Sequence, residues 1–205
     1  MNTWVISDTH FGHANIIKYF NRPFRDAAHM DRVMYERWWT RVAPEDIVYH
    51  LGDVMLTSRK TDEELRKFIT GLPGKKILIL GNHDKSAERM MEFGFDFACE
   101  SMTVQYHQTL LFLHHRPLPV EPVPGVTYVL HGHIHNSLPE HRARHVAKGE
   151  IVDIPAFNIN MSVELWNYEP VTLRHVLDRV RRGEVNKPSH LADPGDWPKE
   201  GEWKD

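Results

Sequence analysis

Five apolar runs in this sequence each finish in side chains able to bind a metal ion. They end at Asp8 with His10, at Asp53, at Asn82 with His83, at His114, and at His133 with His135. If the runs are strands of one sheet, or of two facing sheets, their C-terminal ends can converge on the edge where open α/β sheets hold ligands. The pairs Asp8/His10 and His133/His135 are spaced so that, in extended chain, both members of a pair point to the same side. A carboxylate has two oxygens and can touch two cations, while neutral imidazoles and an amide add ligands without adding charge. Mixed nitrogen and oxygen donors of this kind favour transition metals over Mg, which prefers oxygen and water. The fifteen histidines of the chain point the same way, because packing does not ask for so many groups that titrate near neutrality.

The elements that must position these residues follow from pattern and punctuation. Strands are expected over 4–7, 46–51, 76–80, 98–105, 109–113 and 126–130, with two more, 151–154 and 156–161, late in the chain. The run before Gly81 is continuously apolar after one lysine, which suits a strand covered on both faces. Helices are expected over 28–42, 63–72, 85–93 and 171–182, with Thr61 or Asp62 available to cap the second. Residues 98–105 and 109–113 read as an antiparallel pair, and prolines at 117, 119, 122 and 124 impose an extended connection. Residues 11–24 and 136–149 read as connections. Helices alternating with strands early and strands dominating late indicate a layered α/β protein with mixed strand order. A single domain over 1–183 is expected, followed by a tail over 184–205 rich in proline, glycine and charge.

With 41% hydrophobic and 26% charged residues, the 205-residue chain can bury one substantial core. A formal charge of -3 gives no electrostatic reason for binding a nucleic-acid backbone. No apolar run is long enough to span a bilayer and the N-terminus has no signal-peptide pattern, so a cytoplasmic location is expected. The lone Cys99 cannot form an internal disulfide and reads as a small core residue.

The ordered motifs Asp8-Thr9-His10, Gly52-Asp53, Gly81-Asn82-His83-Asp84, His114 and Gly132-His133-Ile134-His135 resemble those of the calcineurin-like metallophosphoesterases, over residues 8–135. Within that family, the stretches 7–13, 21–24 and 166–171 look like a small bacterial and phage-associated subgroup. The resemblance implies a four-layer α/β/β/α sandwich with two mixed sheets and a dinuclear metal centre. It assigns Asp8, His10 and His135 to one ion and Asn82, His114 and His133 to the other, with Asp53 bridging. Mn or Fe is expected most, with Zn or Ni as alternatives. Two such ions about 3.5–4 Å apart can acidify a shared water and neutralise phosphoryl oxygens during in-line attack. His83 then becomes the candidate to donate a proton to the leaving oxygen, and Asp84 the candidate to hold its other ring nitrogen.

Further out, Arg22 and Arg116 are candidates to grip a phosphate, since a guanidinium matches that geometry. His13 and Asn15 are candidates to line the pocket, Asn158 and Asn160 lie within its reach, and His115 is expected to point away from His114. The expected activity is hydrolysis of a phosphoester on a small phosphorylated substrate, nucleotides included. The connections at 11–24 and 117–124 are short for a capping domain, which favours an open pocket and diesters. A phosphomonoesterase with the same centre is the alternative. A binding module that keeps the fold without catalysis would show eroded ligands, and a mononuclear iron oxidoreductase would need only two histidines and a carboxylate.

Overall fold

The structure is a computed structural model, and it describes residues 1–56, 61–119, 122, 124–136, 145–147, 150–152 and 157–184. The first sheet contains β1 (Thr3–Ile6), β2 (Ile47–His50), β3 (Lys75–Ile79), β4 (Phe97–Cys99) and β11 (Val171–Thr172). Its order is β11-β1-β2-β3-β4, with β1 to β4 parallel and β11 antiparallel to β1. The second contains β5 (Ser101–Tyr106), β6 (Thr109–His114), β7 (Tyr128–His131) and β10 (Asn158–Asn160), in the order β10-β7-β6-β5. Here β6, β7 and β10 are parallel and β5 is antiparallel to β6. Both sheets are therefore mixed. A separate hairpin pairs β8 (His145–Ala147) with β9 (Glu150–Val152).

Alternation along the first sheet builds two cores. Trp4, Ile6, Val48 and Leu78 face a helical layer of α1 (Ala14–Tyr19), α2 (Ala27–Arg41), α3 (Asp62–Gly71) and α4 (Ala87–Glu92), meeting Met30, Met34, Trp38, Leu65, Ile69 and Met90. Val5, Tyr49 and Ile79 point the other way, into the space between the sheets, where Leu111, Leu113, Leu130 and Ile159 come to meet them. The last helix, α5 (Leu173–Arg181), packs Leu173, Val176 and Leu177 on this second cluster and completes the α/β/β/α sandwich. Each large apolar side chain buried this way contributes about 1.5–3 kcal/mol.

Local signals account for the helix boundaries. Thr61 accepts from the Glu64 backbone N–H while Glu64 reaches back to the Thr61 N–H, a reciprocal cap that starts α3. Asp26, Ser86 and Thr172 cap α2, α4 and α5 in the simpler way.

Three expectations are corrected. Residues 98–105 do not form one strand: β4 belongs to the first sheet and β5 to the second, so the chain changes sheet at Glu100. The connection over 11–24 contains α1, and the one over 136–149 contains β8. The expected 171–182 helix begins instead as the short strand β11, because Trp4 and Val5 pair with Thr172 and Val171. The strand expected over 151–154 lies partly outside the described residues, as does the tail from 185 on. No described helix is long and apolar enough to cross a membrane.

Candidate metal centre

Parallel order within each sheet sends the C-terminal ends of β1, β2 and β3, and of β6, β7 and β10, to one edge. The loops that follow are stitched together there. His10 N–H donates to the Asp53 carbonyl at 3.0 Å and Asp8 N–H to the Gly52 carbonyl at 3.0 Å, so the first two loops run side by side. From the second sheet, the His133 N–H donates to both Asp8 carboxylate oxygens, at 3.0 and 3.1 Å. Ser162 after β10 pairs with Ser7 and donates its hydroxyl to Asp8 Oδ2 at 3.0 Å. Two glycines permit this closeness. A Cβ on Gly132 would collide with Ser7 Oγ and Asp8 Oδ2, and one on Gly81 with the Asp53 carboxylate and backbone nitrogen.

Two triads result, Asp8/His10/His135 and Asp53/His115/His133, the ligand atoms of each lying within 4.8 Å of one another. Between them sits Asp53. Its Oδ2 is 3.5 Å from His10 Nε2, 3.5 Å from His115 Nε2 and 4.0 Å from His83 Nε2, while Oδ1 accepts the His83 backbone N–H at 2.9 Å. The rings of His115 and His135 are set by what their other nitrogens do. His115 Nδ1 is 2.8 Å from the Leu51 carbonyl and His135 Nδ1 is 2.9 Å from Glu164 Oε1. Protonation at Nδ1 leaves Nε2 as the ligand atom, the usual arrangement of a metal-binding histidine. His10 Nε2 is buried with no hydrogen-bond partner, an expensive state for a polar atom unless something else satisfies it. Two sets of nitrogen and oxygen donors around an orphaned buried nitrogen fit transition-metal ions.

The electrostatics describe the charge such ions would meet. Burial pushes His10 down to about 2, with the neighbouring His135 adding to the effect. Burial also works against charge on His115, but the carboxylates of Asp53 and Asp8 lift it to about 9. Asp53 is held well below the usual carboxylate range: burial opposes its ionisation, and His115, the His83 N–H and His10 outweigh burial. His135 is raised, again against burial, by Glu164 and Asp8.

The backbone is unusual at these positions. Asp8, His10, Asp53, His133 and His135 all have positive φ, between 49° and 70°. A non-glycine residue there costs roughly 1–3 kcal/mol, so five of the six triad residues hold a strained conformation that the loops around them enforce. Asp8/His10 and His133/His135 thus sit in left-handed turns beyond the ends of β1 and β7, not in strand alternation, and His133 and His135 go to different triads.

His114 is not in either triad. Its Nδ1 lies 2.8 Å from the Arg116 carbonyl, and His115 occupies the place expected for it. The reason is parity: Leu111 and Leu113 of β6 are fully buried against the other sheet, and the next residue on that face is 115. Asn82 lies beside the second triad, its Oδ1 3.1 Å from His115 Nε2. His83 is over half exposed at the mouth, its ring 5.4 Å from that of His10. Asp84 does not orient it. Its carboxylate accepts the backbone N–H groups of Asp53 and Gly81 at 2.8 Å each and of Val54 at 2.9 Å, pinning the two loops together.

Arg22 is also placed elsewhere than expected. It is buried, donates twice to Glu164 Oε1 at 2.9 and 2.7 Å, and holds the Asp8 and Thr9 carbonyls at 2.7 and 3.0 Å. It cannot reach a substrate from there. Arg116 is exposed, with Nη2 3.5 Å from Asn82 Oδ1. His13 is half-buried at the start of α1, its ring 5.5 Å from that of His10, and Asn15 is exposed on α1. Asn160 braces the site, donating to the His135 carbonyl at 2.7 Å and accepting from Ser162, whereas Asn158 bonds Leu118.

Glu164 and Ser162 were missed. Glu164 had a signal, for a carboxylate within the apolar run 161–166 needs a buried partner. His50, which spacing left unassigned, accepts the Gly52 N–H at Nδ1 and meets Thr9 Oγ1 through Nε2 at 2.9 Å, tying the two loops.

Comparison with known proteins agrees with this architecture. Residues 1–156 match the family model described as Calcineurin-like phosphoesterase superfamily domain. An uncharacterized protein of Methanocaldococcus jannaschii is 34% identical over 182 residues, covering 89% of this chain and 93% of that one. The Gene 66 protein of Mycobacterium phage D29 is 36% identical over 84 residues, 41% of either chain. Among solved structures, a protein of unknown function from Aquifex aeolicus superposes with a TM-score of 0.64 at 26% identity, over 86% of this chain and 98% of that one. The chain therefore belongs to the calcineurin-like phosphoesterase superfamily.

Proposed function

We propose that the protein hydrolyses phosphoesters at a dinuclear metal centre, with diesters or small nucleotides as preferred substrates. The observation that carries this reading is the position of Asp53: one carboxylate oxygen faces an imidazole from each triad at 3.5 Å. That is the placement a bridging ligand needs, and a single-ion site would not need it. When bound, two transition-metal ions supply an acidified, oriented water and neutralise charge on the phosphoryl oxygens. Mn or Fe suits the donor set best.

The chain's own groups do the rest. Glu164 and Leu51 fix the His135 and His115 rings through their Nδ1 atoms, and Asp84 fixes the loop that carries Asp53. Asn82 adds an amide oxygen beside His115. His83 stands at the mouth, within 4.0 Å of Asp53 Oδ2. Its exposed ring can release a proton to the departing oxygen. The reaction adds water across the P–O bond, the phosphoryl group keeping the hydroxyl and the leaving alcohol taking the proton.

The test is turnover of mono-, di- and cyclic phosphoesters by apo-protein reconstituted with Mn, Fe, Ni, Zn or Mg. Diester hydrolysis supported by Mn or Fe is expected, and no turnover of any ester with any metal would end the proposal. His83→Ala should retain its metals and lose about 10²–10⁴-fold in turnover on esters with poor leaving groups, and much less on nitrophenyl esters. Equal losses on both kinds of ester would remove His83 from the proton-donor role.

A further inference from the structure

Beside the second triad lies a cavity of about 340 Å³ lined by residues that the metal centre leaves unused, among them Lys85, Glu100, His114 and Arg116. Its wall also contains Asn82 and His115, so it opens directly off the reactive edge. The volume is at the small end for a ligand pocket.

Charge distinguishes it. Among the described residues, Lys85 and Arg116 form no ion pair, although Glu100 lines the same cavity. Arg116 Nη2 lies at the boundary with the triad, 3.5 Å from Asn82 Oδ1, and His114 turns its Nδ1 to the Arg116 backbone. Two cations against one carboxylate, with the His114 imidazole beside them, leave a net positive wall that suits an anion, and a guanidinium with an ammonium suits phosphate in particular.

Building on the phosphoesterase reading, we propose that this cavity binds a second phosphate of the substrate, one that is not cleaved, so that preferred substrates are phosphoesters carrying an additional phosphomonoester. This accounts for His114 standing beside the ligand histidine without being a ligand: it belongs to the specificity pocket. Glu100 sets a limit, for it disfavours more than one added phosphate in the cavity.

The matched probes are thymidine 5′-(p-nitrophenyl phosphate) with and without a 3′-phosphate, assayed with the metal-reconstituted full chain. The 3′-phosphate should raise kcat/KM at least about tenfold, the scale of one charge-assisted contact. Lys85→Ala/Arg116→Ala should bring the ratio of the two substrates to about one. A wild-type ratio near one, or a ratio that the double variant leaves intact, would overturn the proposal. Inorganic phosphate titrated into the full chain, followed by the NMR resonances of the His114 ring, gives a readout that needs no turnover. Saturable shifts that the double variant weakens about tenfold support the pocket, and their absence refutes it. If neither thymidine ester is cleaved while those shifts remain, the catalytic reading fails and the anion site stands.

Discussion

Replacing Arg22 by methionine is expected to destabilise the protein by about 3–5 kcal/mol at neutral pH. The pair it forms with Glu164 is buried on both sides, with side-chain exposures of 0% and 1%. Removing the guanidinium leaves Glu164 without its main counter-charge and strips two carbonyls, those of Asp8 and Thr9, of their donor. Arg22→Met/Glu164→Gln should recover much of the loss, since a neutral pair does not strand a charge. The effect has a definite pH dependence. Burial opposes ionisation of Glu164, but Arg22 and His135 hold its carboxyl at about 2, below its ordinary 4.5. A depressed carboxyl contributes stability that is complete above 4.5 and is lost as pH falls through about 2. The gap between wild type and Arg22→Met should therefore be full at pH 7 and narrow between about 4.5 and 2. Urea unfolding across that range measures it, and a cost below about 1 kcal/mol at pH 7 would show that the pair is not the brace described.

The second large effect is expected at Asp53. Asp53→Asn keeps the shape of the side chain but replaces one of its oxygens by an amide nitrogen, which cannot ligate, and removes one of the two carboxylate charges that lift His115. Both ions should bind more weakly, and turnover on diesters should fall by at least about 10²–10³-fold, the scale seen when a group that stabilises transition-state charge is removed. Since Asp84 pins the backbone of the two loops through three N–H groups, and the amide keeps an oxygen for the His83 N–H that Asp53 Oδ1 accepts, the variant should remain folded. Its circular dichroism checks that, and unchanged metal content with turnover within tenfold of wild type would contradict the bridging role.

The layered α/β character was readable because the strands are apolar runs and Thr61 caps where a helix must begin, whereas the four-layer sandwich followed from the resemblance to the family. The crossing at Glu100 was not readable: alternation continues from β4 into β5 without a glycine or proline, so the sequence shows one strand where the fold uses two. The edge at which ligands gather was legible from polar residues following apolar runs. The conformation there was not. No glycine marks Asp8, His10, Asp53, His133 or His135 as left-handed, and the strain is imposed by loop contacts distant in sequence. Leu111 and Leu113 share their face of β6 with position 115, so strand parity puts His115 and not His114 beside Asp53. Arg22 and Glu164 are 142 positions apart, so each looked like an isolated charge until the fold paired them.

The assignment of ligands to two triads bridged by Asp53 can be tested by counting metal. Manganese bound per chain, measured by elemental analysis after reconstitution and gel filtration, should be two for wild type and two for His114→Ala, but one for His115→Ala. Two ions in His115→Ala together with one in His114→Ala would contradict the second triad, and a single ion in wild type would contradict the dinuclear centre itself.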